Sequence, residues 1–231
     1  MQNQLVLDLS LQAQPTLDNF VVGRNTELIH VMRGMLAAEP QERFIYIWGS
    51  PGSGRSHLLK AMVDAFRQRN LSASYLRCNP DSEIASGFEQ LGALAVDDVE
   101  RLGGNAQIAL FNLYNQIREG PGMLLVSGAV PPAQLNLRED LVTRLGWGLV
   151  FQVHGLNDEE KTQALKTHAM NRGFELPQEA AVYLLSHGQR DLLSLLAVLD
   201  ALDNYSLQTK RPVTLPLLRE IMHAKSFPEG E

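Results

Sequence analysis

The chain has 231 residues, with 20 Lys plus Arg against 26 Asp plus Glu and a formal net charge of −6. That length allows one large domain or two small ones, and the acid excess argues against a tight, independent DNA binder, which would show a basic face or module. The single cysteine, Cys78, excludes an internal disulfide and reads as a small buried apolar residue suited to the cytoplasm; no apolar run approaches a membrane span, and the N-terminus lacks the features of a signal peptide.

Residues 1–14 read as a separate arm. Leu5, Leu7, Leu9 and Leu11 alternate, so they share one side of an extended chain before Pro15 punctuates it. With Gln4 they form either a peptide that drops leucines into an apolar groove on a partner or an edge strand of the domain itself. Asn25 is placed to cap a helix running to about Ala38. From there strand-like and helix-like segments alternate. Phe44–Trp48 is a strand and Ser56–Arg69 a helix. Ala73–Arg77 is a strand, followed by a short helix near Asp81–Gln90. Ala93–Val96 is a strand ending in Asp97 and Asp98. Asn105–Arg118 is a helix with Ile108, Phe111, Leu113, Tyr114 and Ile117 on its apolar face. Met123–Val126 and Gly148–Val153 are the remaining strands. The alternation predicts a parallel sheet covered on both faces, and the continuous apolar character of the strands agrees.

After Gly155 only helices are expected. Asn157 caps a helix over Asp158–Arg172, with Glu160 completing a capping box. Gly173 ends it and Pro177 stands near the first position of the next. Two more span roughly Arg190–Leu202 and Thr214–Ala224. The predicted architecture is an α/β domain over residues 15–155 and a small helical domain over residues 156–231.

The chemistry concentrates in Gly49-Ser50-Pro51-Gly52-Ser53-Gly54-Arg55-Ser56. This is the phosphate-binding loop pattern G-x-x-x-x-G-K-[ST] with arginine in place of lysine. A strand, a glycine turn and a helix start together make an anion cradle, because backbone N–H groups and the helix dipole face the phosphates. Ser56 is the Mg²⁺ ligand of that pattern. Arg55 keeps the charge but not the compact ammonium, so the loop predicts nucleotide binding more strongly than hydrolysis. Asp97, at the end of an apolar strand, is placed to hold Mg²⁺, and Asp98 to stand as general base or water-orienting acid. The plainer alternative is an acidic turn at a strand end. Ser127 either touches the γ-phosphate from the end of its strand or opens the following loop. Arg144 is either an arginine finger reaching a neighbour's γ-phosphate or a surface arginine in a salt bridge. Arg190 either points back at the phosphates or faces solvent. The six histidines form no metal-ligand pattern.

Together these residues resemble the AAA+ family, and within it the replication initiator DnaA, over most of residues 16–204. Thr16–Gly23 is similar to the segment that lines the adenine pocket, which implies that Val21 and Val22 flank the base. Asp97-Asp98 resembles the family's acidic motif, and Arg144-Leu145-Gly146-Trp147-Gly148-Leu149 its arginine-finger segment. DnaA itself carries lysine in the loop and a C-terminal DNA-binding domain. The Gly-Arg-Ser loop followed by His57, the segment Gly173–Pro177, and the form Q-L-x-L-x-L at Gln4–Leu9 resemble instead the DnaA-related regulatory inactivators.

That resemblance implies a fold with an AAA+ core and a helical lid. It implies ADP or ATP with Mg²⁺ as cofactors, held by Gly49, Pro51, Gly52, Ser53, Gly54, Arg55, Ser56, His57, Ser127 and Arg190. It implies docking of Gln4, Leu5, Leu7 and Leu9 on the DNA polymerase III β sliding clamp, contact with DNA through that clamp, and localisation with the nucleoid. Arg144 would act in trans to stimulate ATP hydrolysis by DnaA, with the chain's own ATPase weak or absent. One departure is Leu193, where the family has a second sensing arginine; Arg190 lies one turn earlier. A self-sufficient AAA+ motor or helicase loader, a recruiting scaffold without effect on hydrolysis, and a homo-oligomer stay open.

Overall fold

The computed structural model describes residues 14–37, 42–188 and 191–224. The arm residues Gln4, Leu5, Leu7 and Leu9, and Arg190, lie outside the described residues. Contacts divide the chain into a unit of residues 14–155 and a unit that runs on from Leu156.

The first unit is built on five parallel strands, β1 (Phe44–Trp48), β2 (Ala73–Arg77), β3 (Ala93–Asp97), β4 (Met123–Gly128) and β5 (Leu149–Gln152), in the order β2-β3-β4-β1-β5. Burial follows position in the sheet. Every residue of the inner strands β3 and β4 is buried, whereas the edge strand β5 alternates between half-buried and exposed. The inner strands divide their side chains between two cores by strict alternation. Ile45, Ile47, Ala93, Ala95 and Leu125 face a core shared with α1 (Thr26–Gly34) and α2 (Arg55–Gln68). Tyr46, Leu94, Val96, Leu124 and Val126 face a second core shared with α3 (Gly104–Glu119) and α4 (Glu139–Leu145).

Several elements differ from the sequence expectation. Ile108 is 43% exposed, and the buried face of α3 is Ala106, Leu110, Leu113, Tyr114 and Ile117. A broad apolar stripe overcounts, because Ala106 and Leu110 at helical spacing define the narrower seam that meets the sheet. The helix expected near Asp81–Gln90 is only one 3₁₀ turn, Phe88–Gln90. Asn25 precedes α1 without capping it. Its side-chain amide donates to the carbonyls of Val22 (3.1 Å) and His154 (2.9 Å), and its oxygen accepts from the His154 N–H (2.8 Å). The residue therefore latches the segment before α1 to the end of the sheet, 129 residues away in sequence.

The second unit contains α5 (Asp158–Asn171), α6 (Gln178–His187), α7 (Leu192–Thr209) and α8 (Leu215–Ala224). The capping box forms as drawn: the Asn157 side chain accepts from the Glu160 N–H at 2.8 Å, and Glu160 accepts from the Asn157 N–H at 2.7 Å. Pro177 takes the N-cap of α6, one position earlier than expected. Leu165, Leu184, Leu195, Leu199, Leu202 and Leu218 pack the four helices together.

Candidate functional site

The loop between β1 and α2 needs its glycines for different reasons. Gly52 and Gly54 have φ of +78° and +104°, a region where a side chain is strained. A Cβ on Gly54 would stand 2.7 Å from the Phe20 ring, and one on Gly49 would stand 2.5 Å from the Val153 carbonyl oxygen. The loop is thus clamped between the N-terminal segment and the end of the sheet. Pro51 and Gly52 are exposed at its tip. Val21 and Val22 are half-buried beside Phe20, and Val22 packs on the core.

His57 packs against the N-terminal segment. Its Nε2–H donates to the Thr16 carbonyl at 2.8 Å, and its ring packs on Phe20 with centroids 5.5 Å apart. Burial holds its pKa below the ordinary value of 6.5, against the pull of that hydrogen bond. The expected cofactor contact is in this structure a tie between α2 and the Thr16–Phe20 segment.

Arg55 opens α2 and is only 9% exposed. Its Nη2 lies 3.4 Å from Asp98 Oδ1, while Nη1 is buried with no hydrogen-bond partner among the described residues. Ser53 Oγ is a second buried polar atom without a partner. An unsatisfied buried donor costs about 1–3 kcal/mol, and more when charged, so two of them in one anion-cradle loop fit a bound phosphate.

Asp98 adopts a left-handed conformation, φ 58° and ψ 50°, which a carboxylate side chain tolerates better than most. That turn aims its second oxygen at Arg77, Oδ2 to Nε 3.4 Å. Both oxygens of the expected general base therefore face guanidinium groups.

Asp97 has no exposed surface. Its Oδ1 accepts from the Ser127 hydroxyl and its Oδ2 accepts from the Tyr75 hydroxyl at 2.5 Å. Ser127 itself accepts the Asp98 N–H at 3.1 Å. Because β4 continues through Gly128, Ser127 is a fully buried strand residue whose hydroxyl is committed to the acidic pair; it does not open a loop. The Tyr75 phenol is held well above its ordinary pKa of 10.0, first by burial and then by Asp97. Lys60 sits 5.3 Å from the centre of the Tyr75 ring. A directly bound Mg²⁺ needs an open carboxylate oxygen and near-octahedral oxygen ligands. With Asp97 enclosed and a hydroxyl on each of its oxygens, these residues do not fit that ion as they stand. Among the described residues no other group of histidines, cysteines or carboxylates could hold a metal.

Arg144 lies in the last turn of α4. Its guanidinium stacks 3.8 Å from the centre of the Trp147 ring and 5.4 Å from that of Phe111, and its Nε is buried without a partner among the described residues. Among those residues it is stacked rather than salt-bridged. Trp147 is 54% exposed, and Arg118 approaches the same ring at 5.5 Å.

Tyr75 and Arg77 are the parts of this region that the sequence did not mark, and Asn25 is one that it marked only as a helix cap. Tyr75 and Arg77 become visible only through the parallel pairing of β2 with β3, which sets Arg77 opposite Asp97. A polar residue at a strand's C-terminal end is the one general signal that could have found Arg77.

A parallel sheet of this order, a glycine loop running into a helix, an acidic pair ending the neighbouring but one strand, and a trailing helical unit define an AAA+ fold. Residues 11–80 match the model of the bacterial DnaA ATPase domain, and residues 158–222 that of the Hda lid domain. Domain III of Thermotoga maritima DnaA superposes with a TM-score of 0.72 at 22% identity, covering 94% of this chain and 98% of that one. AMPPCP-bound DnaA from Aquifex aeolicus gives 0.67 at 22% identity, covering 85% and 67%. Thermotoga maritima RuvB gives 0.65 at 14% identity, covering 92% and 72%. The two matched segments and the shared fold make the chain a DnaA-related, Hda-like AAA+ protein. No helix among the described residues is long and apolar enough to cross a membrane.

Proposed function

We propose that this chain is a cytoplasmic, ADP-holding regulator that docks on the DNA-loaded sliding clamp and stimulates ATP hydrolysis by DnaA, so that initiation is not repeated. The observation that carries the nucleotide half is the loop itself. Ser53 Oγ and Arg55 Nη1 are buried donors without acceptors at the start of α2, where phosphate oxygens would satisfy them. Bound AMPPCP in a DnaA of the same fold supports the same ligand class. Weak intrinsic hydrolysis follows from Asp98, whose oxygens are paired with Arg55 and Arg77 instead of being free to activate water.

Arg144 is the residue proposed to act on the partner's ATP. Stacking on Trp147 restricts the guanidinium without neutralising it, which keeps its charge for a phosphoryl group. The arm Gln4–Leu9 is proposed to bind the clamp, and residues 15–155 and 156–231 to act as nucleotide core and lid.

The experiment reconstitutes DnaA, clamp-loaded DNA and this protein, and follows release of phosphate. Arg144→Ala should keep ADP and clamp binding and lose stimulation by roughly 10³-fold, the low end for an arginine finger. Gln4→Ala with Leu5→Ala should keep ADP binding and lose the clamp. Normal stimulation by Arg144→Ala refutes the finger. Turnover by the isolated protein of ~1 s⁻¹ or more would favour a self-sufficient motor instead.

A further inference from the structure

The Tyr75 hydroxyl occupies a carboxylate oxygen that a directly bound metal ion would need. Ser56 on α2 and Asp97 at the end of β3 are the two side chains that the loop pattern assigns to Mg²⁺. In this chain a phenol is bound to the second of them: Tyr75 donates to Asp97 Oδ2 at 2.5 Å. The other oxygen of Asp97 is taken by Ser127, and the carboxylate has no exposed surface. The ring is fixed by the β2–β3 pairing and by the Lys60 ammonium on its face.

A carboxylate enclosed by two hydroxyl donors already has both oxygens engaged, and a cation bound directly there must displace the phenol and rebuild an octahedral shell. The phosphate side of the site, by contrast, carries a guanidinium with an unpaired nitrogen, so its positive charge need not come from a metal. We infer that Tyr75 replaces the metal ion, so that this protein binds its nucleoside diphosphate without a divalent cation. The inference rests on the nucleotide-binding reading above and adds to it how charge in the site is balanced.

The test titrates ADP into the full chain by calorimetry, once with excess EDTA and once with Mg²⁺. The expected result is a Kd that differs by less than about threefold between the two, well under the tenfold that corresponds to ~1.4 kcal/mol. Water-proton relaxation with Mn²⁺ as the probe should show no enhancement for the protein–ADP complex beyond that of Mn²⁺–ADP alone. Tyr75→Phe keeps the ring and removes the hydroxyl, opening Asp97 Oδ2. It should gain both a tighter Kd with Mg²⁺ than with EDTA, by about tenfold, and a Mn²⁺ enhancement. A wild-type Kd that worsens tenfold or more on chelation, or a wild-type Mn²⁺ enhancement, overturns the inference while leaving nucleotide binding intact. A folded Tyr75→Phe that stays indifferent to metal overturns the role of the hydroxyl. ADP binding absent under both conditions would instead sink the nucleotide reading and this inference with it.

Discussion

Arg55→Met separates the two jobs that the structure gives to this arginine. Within the folded chain the guanidinium is poorly used. Nη1 is buried without a partner and the contact of Nη2 with Asp98 is long, at 3.4 Å. Removing the unsatisfied donor returns about 1–3 kcal/mol. Removing a partner from Asp98 costs a similar amount, limited because Arg77 still faces its other oxygen. Methionine preserves most of the apolar stem. The net change in stability should therefore stay within about 2 kcal/mol. With ADP present the balance reverses, because a charge-assisted hydrogen bond to phosphate, worth about 1.5–3 kcal/mol, is lost. The Kd should rise by roughly 10–150-fold. At a ligand concentration ~100 times the wild-type Kd, ADP should stabilise the wild type by about 2.7 kcal/mol, and a variant weakened ~50-fold by only about 0.6 kcal/mol. At about 2–4 °C per kcal/mol, the ADP-induced rise in Tm should shrink from about 5–11 °C to about 1–3 °C. Thermal unfolding with and without ADP measures both quantities in one experiment. An unchanged ADP shift, or a nucleotide-free variant less stable by more than about 4 kcal/mol, would refute this account of Arg55.

Two further tests address the frame around the loop. Gly54→Ala places a side chain at φ +104° and 2.7 Å from the Phe20 ring; backbone strain of ~1–2 kcal/mol and overpacking of ~1–3 kcal/mol should lower Tm by about 4–20 °C, and Phe20→Leu in that background should recover only the packing part. His57, held below its ordinary pKa of 6.5 mainly by burial, contributes stability that is complete above about pH 6.5 and is lost progressively as the pH falls from there through the lower pKa of the folded ring, because the unfolded chain takes up a proton that the folded ring resists. The Tm advantage of the wild type over His57→Gln, which cannot titrate there, should shrink between about pH 7.5 and about pH 5.5; a constant difference would show that the ring is not buried against Thr16.

The parts of this protein that were legible in the sequence share a local cause. β1 and β2 occupy the residues that their apolar runs mark. The capping box at Asn157 and Glu160 closes within one helical turn. The glycines at positions 52 and 54 fall at the positive φ angles that a phosphate loop demands. Errors arose where a residue's partner lies far along the chain. Asn25 has the identity of a cap, yet two backbone groups of His154 claim its side chain. Ser127 stands beside a glycine and has the chemistry of a turn, yet the strand runs through it because Trp48 pairs with Gly128.

The sequence by itself determined the class of fold, the place of the anion cradle and the helical character of the second unit, since glycine conformation, capping and hydrophobic period act over a few residues. It also supplied each side chain of the acidic site. Only the tertiary structure decided how those side chains are joined. The parallel register of β2 on β3 places Tyr75 against Asp97, and the left-handed turn at Asp98 brings Arg55 and Arg77 to one carboxylate. Parallel strands meet through long crossovers, and register across a crossover is set by packing on both faces of the sheet, which leaves no mark in the residues that happen to face each other.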